Sequence, residues 1–173
     1  MGMSYISHAQ LAERPGAREL AQVATAAHKP MVDPELMEAT LLGADRTGWT
    51  PDQVALADDA LQRIDDATAD AQALIDGFLS RRGYLPLDPV PGIVVTWARA
   101  ITRYHLHQNR LGDDSDDPIV RDYKDAVRFL QLTADGKFSL GLNDPVESDP
   151  AHLDVQFESD PNVFSRDQLK RFR

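Results

Sequence analysis

Apolar side chains recur at intervals of three and four residues along most of the chain, a spacing typical of amphipathic helices. The clearest run covers residues 51–80 and holds this spacing for about seven turns. Thr50 precedes it as a candidate N-cap with Pro51 in the first helical position, and Gly83 follows as a stop signal. The pattern therefore predicts one long helix over 51–80.

Shorter helices are indicated by the same start and stop signals. Ser7 opens a helix over 7–14 that Pro15-Gly16 ends, and Asp33-Pro34 opens one over 34–43. Two more are predicted over 91–110, whose broad apolar girth suggests the central helix, and over 118–134. The fold class expected is mainly α, a small bundle of four to five helices.

Two non-helical stretches are predicted between and after these helices. Residues 84–91 contain three prolines and should run extended, and residues 137–142 form a candidate short extended piece. Residues 1–142 are therefore expected to form one helical domain.

The pattern changes after residue 142. Residues 143–161 carry three prolines and six acidic residues without a period, which is typical of a linker. Residues 162–173 instead carry a net charge of +3, and apolar side chains lie among their basic residues. The expected organisation is a helical domain followed by an extended C-terminal arm, 143–173, with a frayed tail as the plainer interpretation.

The polar face of the long helix is acidic. Residues 51–80 hold seven aspartates and one arginine. At about 100° per residue, Asp58, Asp65 and Asp76 align and Asp66 flanks them. These four residues form either a solvated face or a functional acidic surface, and the sequence leaves both interpretations open.

A basic face is predicted on the helix over 91–110. Arg99, Arg103 and Arg110 share its polar side. They are candidates for contact with the acidic face of a neighbouring copy. Exposed ion pairs contribute only about 0–1 kcal/mol each, so such contacts would set register and would not drive assembly.

Charge and composition narrow the function classes. The formal net charge of −10 disfavours sequence-general phosphate binding, which depends on Lys and Arg. The absence of cysteine excludes a disulfide framework and thiolate metal sites. Charged residues and prolines interrupt every apolar run, and the first residues lack a signal-peptide pattern. The chain is expected to be soluble and intracellular when made, without membrane contact.

No catalytic or cofactor motif stands out in the sequence. His105 and His107 lie about 200° apart on a helix, too far around to share a metal. The acidic run from Asp113 fails as a calcium loop, because Pro118 and Lys124 occupy positions that require glycine and glutamate. We therefore expect no enzyme activity, no cofactor and no metal.

Several strings in the chain occur in a familiar order. They are Tyr5-Ile6, the stretch from Ile75 to Tyr84, Leu85-Pro86-Leu87, Ala100 to Tyr104, Tyr123 to Ala126, Gly136 to Gly141, and Val163 to Lys170. In this order the chain resembles the Mu-like bacteriophage and prophage proteins of the head–tail region, related to helical head–tail connectors. Residues 25–52 look longer than usual for that family and are interpreted as insertion-like.

The resemblance implies a structural virion protein. It would form a ring of about twelve copies in the neck, joining the portal of the DNA-filled head to the tail. Its partners would be the portal protein, neighbouring copies and the next neck or tail-completion protein, while DNA passes the lumen without specific binding. The acidic face would then either line this lumen, where it repels phosphates, or oppose the basic face of a neighbouring copy. Its location would be the virion neck, and the host cytoplasm during assembly.

The resemblance also assigns a role to the C-terminal arm, which reaches the portal in related connectors. Carried onto this chain, the portal-docking residues are Val163, Phe164, Arg166, Leu169, Lys170 and Phe172. The alternative function is a non-virion cytoplasmic assembly factor or protein-binding adaptor.

Overall fold

A computed structural model describes residues 4–108 and 117–142 of the chain. Helices dominate these residues, and no β-strand occurs among them. The helices are α1 (His8–Leu11), α2 (Ala17–Ala24), α3 (Pro34–Leu42), α4 (Pro51–Leu79), α5 (Gly92–His107) and α6 (Pro118–Ala134). The predicted mainly α bundle is confirmed.

The long helix α4 begins and ends where its local chemistry dictates. The Thr50 hydroxyl accepts a hydrogen bond from the Gln53 backbone N–H, while the Gln53 side chain accepts from the Thr50 N–H. This capping box satisfies donors that helix starts otherwise leave unpaired. After α4, a short 3₁₀ turn over Ser80–Arg82 ends at Gly83, whose φ of 69° favours glycine.

The centre of the bundle is α4 rather than α5. Helix α4 packs against α2, α3, α5 and α6, whereas α5 packs mainly against α4 and α6. The reason lies in the small side chains along α4. Ala57, Ala60 and Ala71 are almost completely buried and let neighbouring helices approach closely, while Ile64 and Ile75 fill the space between them.

Helix α2 was not predicted. The sequence pattern ends the first helix at Pro15-Gly16, but the chain only kinks over Ala12–Gly16, where Arg14 has an extended backbone, and resumes as α2. Leu20, Ala21 and Ala24 of α2 are buried in the core. Only Ala12–Gly16 separate α1 from α2, so the two helices meet at this kink.

The stretch interpreted as insertion-like, 25–52, contributes to the core. Val32, Leu36, Met37 and Leu41 are each at most 4% exposed. Helix α3 packs against α2 and α4. This stretch therefore helps to hold the bundle together instead of looping away from it.

The two non-helical stretches both pack against the core. Residues 84–91 are non-helical, as predicted, and bury Tyr84 and Leu87. Residues 137–142 form turns without a strand, and Phe138 and Leu140 pack against the core. No described helix is both long and apolar enough to cross a membrane. The arm, 143–173, lies outside the described residues.

Candidate functional site

A concave groove of about 680 Å³ lies between the α1–α2 kink, α5 and α6. It is lined by Arg14, Pro15, Glu19, Ile93, Thr96, Trp97, Arg99, Ala100, Arg103, Asp122, Asp125, Ala126 and Phe129. The lining combines apolar, basic and acidic side chains.

The floor of the groove is aromatic. The rings of Trp97 and Phe129 stack with centroids 6.4 Å apart, and Phe138 lies 5.4 Å from Phe129. Trp97 is buried, but Phe129 is 39% exposed and Ile93 at the rim is 40% exposed. Large apolar side chains in a concave surface are typical of a protein-binding site.

A half-buried polar cluster forms one wall of the groove. Arg103 donates two hydrogen bonds to the Glu19 carboxylate, at 2.5 and 2.8 Å, and His107 Nε2 lies 3.0 Å from the same carboxylate. Burial raises the pKa of Glu19, but the hydrogen bonds from Arg103 and His107 outweigh it and hold that pKa below its usual range. This ion pair ties α2 to α5.

Arg99 is less well satisfied than Arg103. Its Nε is buried and has no hydrogen-bond partner among the residues that the structure describes. Across the groove, Asp122 and Asp125 of α6 are exposed. Arg99 lines the groove with a cationic guanidinium group, so the groove favours a ligand that supplies a carboxylate.

Within residues 4–108 and 117–142, no group of three or more His, Asp or Glu side chains is placed to hold a metal ion. The charged residues of the groove line an open cleft beside apolar side chains. Such a groove suits recognition of a polypeptide segment.

The four aspartates of the predicted acidic face all have partners within the chain. Arg46 donates a hydrogen bond to Asp58, the Tyr5 hydroxyl donates to Asp76, and His8 Nε2 lies 2.5 Å from Asp65. Asp66 accepts a hydrogen bond from Gln62 on α4 itself and remains exposed. Three of the four predicted residues therefore contact the N-terminal part of the chain.

What remains open on α4 is a narrower stripe. Its exposed members without a basic partner include Asp52, Asp66 and Asp70, together with Ala55, Ala69, Ala73 and Gly77. The only basic residue of α4, Arg63, is engaged with the Ala24 carbonyl and with Asp59. Among the described residues, this stripe offers carboxylates and small side chains but no cation.

Two of the three residues of the predicted basic face lie in the groove, and the third lies, like the arm, outside the described residues. Arg99 and Arg103 both line the groove, and Arg103 is already paired with Glu19 inside its own chain. Arg110 lies outside the described residues, as do all six predicted portal-docking residues. No local pattern indicates the groove or Glu19, because Glu19 lies on the unpredicted α2, 84 residues from Arg103.

Comparison with known proteins supplies the family context. Residues 5–159 match the family described as Bacteriophage Mu, Gp36. The Mu-like prophage FluMu protein gp36 of Haemophilus influenzae is 35% identical over 133 residues, covering 77% of this chain and 89% of the relative. Gene product J of Escherichia phage Mu is 37% identical over 112 residues, covering 64% and 75%, respectively. The family match ends before the predicted portal-docking residues, which begin at Val163.

Proposed function

Since this chain belongs to the bacteriophage Mu Gp36 family, we propose that it is a structural protein of the virion neck. In this proposal about twelve copies form a ring that joins the portal of the DNA-filled head to the tail. DNA passes through the lumen without specific binding. The protein acts as a connector and not as an enzyme.

The observation that carries the proposal, beside the family, is the exposed acidic stripe of α4. A surface past which DNA slides must not bind phosphates, and a stripe of carboxylates without cations repels them. The exposed side chains of Ala55, Ala69 and Ala73 lie in the same stripe and are too small to project far from the helix. We assign this stripe to the channel.

The assignment to the channel is preferred over pairing between neighbouring copies. Pairing would need Arg99, Arg103 or Arg110 of the next copy to meet the acidic face. Arg103 already donates two hydrogen bonds to Glu19 within its own chain. Charge reversal at Arg103 that prevents ring formation while the subunit stays folded would favour the pairing instead.

Charge reversal on α4 tests the channel assignment. Asp66→Lys with Asp70→Lys places two cations on each copy of the exposed stripe. We expect virions to assemble but to eject DNA more slowly, because the lumen then attracts phosphates. The matched control is Glu38→Lys on the exposed side of α3. Equal ejection rates for the stripe variant and the control would refute the assignment.

The arm is proposed to dock on the portal. Residues 162–173 combine a net +3 with Val163, Phe164, Leu169 and Phe172. Aromatic rings and basic residues together suit a groove rimmed by acids. Phe164→Ala with Phe172→Ala should abolish binding to portal rings, and Ser165→Ala with Gln168→Ala should leave it intact. Unchanged portal binding in the phenylalanine variant would end this part of the proposal.

The alternative is an assembly factor that is absent from finished particles. A connector is present in purified virions at a fixed low copy number, whereas an assembly factor is missing. Quantitative mass spectrometry of purified virions separates the two.

A further inference from the structure

The groove between α5 and α6 is built for a ligand of mixed character. Phe129 on its floor and Ile93 at its rim are exposed, and the cationic side chain of Arg99, whose Nε has no acceptor among the described residues, lines its α5 wall. The ligand should therefore place apolar side chains on the floor and a carboxylate against Arg99.

A short stretch of the chain has this composition. Within the otherwise aperiodic region 143–161, the apolar residues Leu153, Val155 and Phe157 alternate with Asp154, Gln156 and Glu158. Such alternation supplies apolar side chains and carboxylates within six residues. The family match extends to residue 159 and so includes this stretch.

We propose that residues 152–158 dock in the groove of their own chain. Phe157 and its apolar neighbours cover Phe129 and Ile93, and an acidic side chain, Glu158 or Asp154, accepts from Arg99. This contact anchors the base of the arm beside α5 and α6, so that residues 162–173 leave the bundle from a fixed place. It stands independently of portal binding.

The connection is long enough for docking within one chain. Phe138 already contacts the groove floor, with its ring centroid 5.4 Å from that of Phe129. Nine residues lie between Leu142 and His152. The ten steps from one to the other reach up to about 35 Å. A short tether of this kind gives an effective concentration in the millimolar range, which favours the intramolecular contact.

The rival occupant is the basic segment 162–173. It would find Asp122 and Asp125 on the α6 wall, but its four cations and single Asp167 suit Arg99 poorly. The two occupants respond oppositely to charge. Arg99→Glu should weaken docking of 152–158 and strengthen docking of 162–173.

Crosslinking in the full-length chain tests the proposal, because the protein has no cysteine of its own. The test pair is Thr96→Cys with Ser159→Cys, since Thr96 is exposed in the groove one turn from Arg99. The control pair is Glu38→Cys with Ser159→Cys. With a short bismaleimide, we expect the test pair to form an intramolecular link at least about tenfold faster than the control.

Charge exchange completes the experiment. Arg99→Glu should slow the Thr96→Cys/Ser159→Cys link by about tenfold, and adding Glu158→Arg with Asp154→Arg should restore it. Circular dichroism confirms that each variant is folded.

Four results would overturn the proposal. They are equal rates in the test and control pairs, no response to Arg99→Glu, links that join two copies, and faster linking to Ser165→Cys than to Ser159→Cys. The third result assigns the groove to a second copy, and the fourth assigns it to residues 162–173.

Discussion

Replacing Glu19 tests whether the polar cluster holds α2 on the bundle. Glu19→Ala leaves the Arg103 guanidinium without the carboxylate to which it donates two hydrogen bonds. The two side chains are 25% and 32% exposed, so this ion pair lies between the exposed and the fully buried cases. Exposed pairs contribute about 0–1 kcal/mol, and breaking a buried pair costs about 3–5 kcal/mol. We expect the variant to lose about 2 kcal/mol of unfolding free energy.

The loss should depend on pH in a defined direction. The folded state holds the pKa of Glu19 below its usual value of 4.5. A carboxyl whose pKa is lowered by folding adds stability above its unfolded pKa and loses it as pH falls through its folded pKa. The difference between wild type and Glu19→Gln should therefore be full at pH 7 and shrink progressively below about pH 4.5.

Urea unfolding followed by far-UV circular dichroism measures both effects. For a chain of this size, 2 kcal/mol corresponds to a fall in Tm of about 4–8 °C. The matched control is Glu38→Ala, an exposed glutamate on α3, which should change stability by less than about 0.5 kcal/mol. If Glu19→Ala matched this control, or if its effect were the same at pH 3 and pH 7, the reasoning would be refuted.

Three further predictions concern backbone and core. Gly43→Ala should destabilise by about 1 kcal/mol, because Gly43 ends α3 with φ of 64° in otherwise open space. Gly77→Ala should instead stabilise by about 0.5–1 kcal/mol, since Gly77 lies within α4 with no atom within 4 Å of an added Cβ. Ile75→Ala should cost about 2–5 kcal/mol, because Ile75 is completely buried. Urea unfolding measures all three, and a shared sign for the two glycine variants would contradict the backbone argument.

The helices with strong local signals could be predicted almost to the residue. Helix α6 spans the predicted 118–134, and α4 ends one residue before its predicted end. Asp33 caps α3 through the backbone N–H groups of Glu35 and Leu36, as its place before Pro34 indicates. These features depend on neighbours within four residues, and a sequence displays them directly.

Features that depend on distant residues could not be predicted. Pro15 and Gly16 are ordinary stop signals, yet the chain turns there and resumes as α2 because Leu20 and Ala21 gain a place in the core. The groove needs α2, α5 and α6 together, and no local pattern relates these helices. Periodicity identified Arg99 and Arg103 as one face but could not show that Glu19 would pair with Arg103.

The acidic face shows how tertiary contacts change the meaning of a periodic pattern. On an isolated helix, Asp58, Asp65 and Asp76 would be equivalent members of one negative stripe. In the bundle, the N-terminal part of the chain crosses this side of α4, where Arg46 neutralises Asp58 and the Tyr5 hydroxyl donates to Asp76. Burial raises the pKa of Tyr5, and the hydrogen bond to Asp76 acts in the same direction, so the phenol keeps its proton and stays a donor.

The acidic surface that stays exposed on α4 is therefore the part that the N-terminal part of the chain does not cover. Asp66 and Asp70 stay exposed, and the only arginine of α4 is held by Asp59 and a backbone carbonyl. A negative stripe survives because the bundle pairs some of its carboxylates and keeps its single cation away from it. Reversing the charge of Asp66 and Asp70 changes that stripe without breaking a contact to another helix. It therefore tests the proposed channel more specifically than charge reversal at Asp58 or Asp76, which would also break contacts to the N-terminal part of the chain.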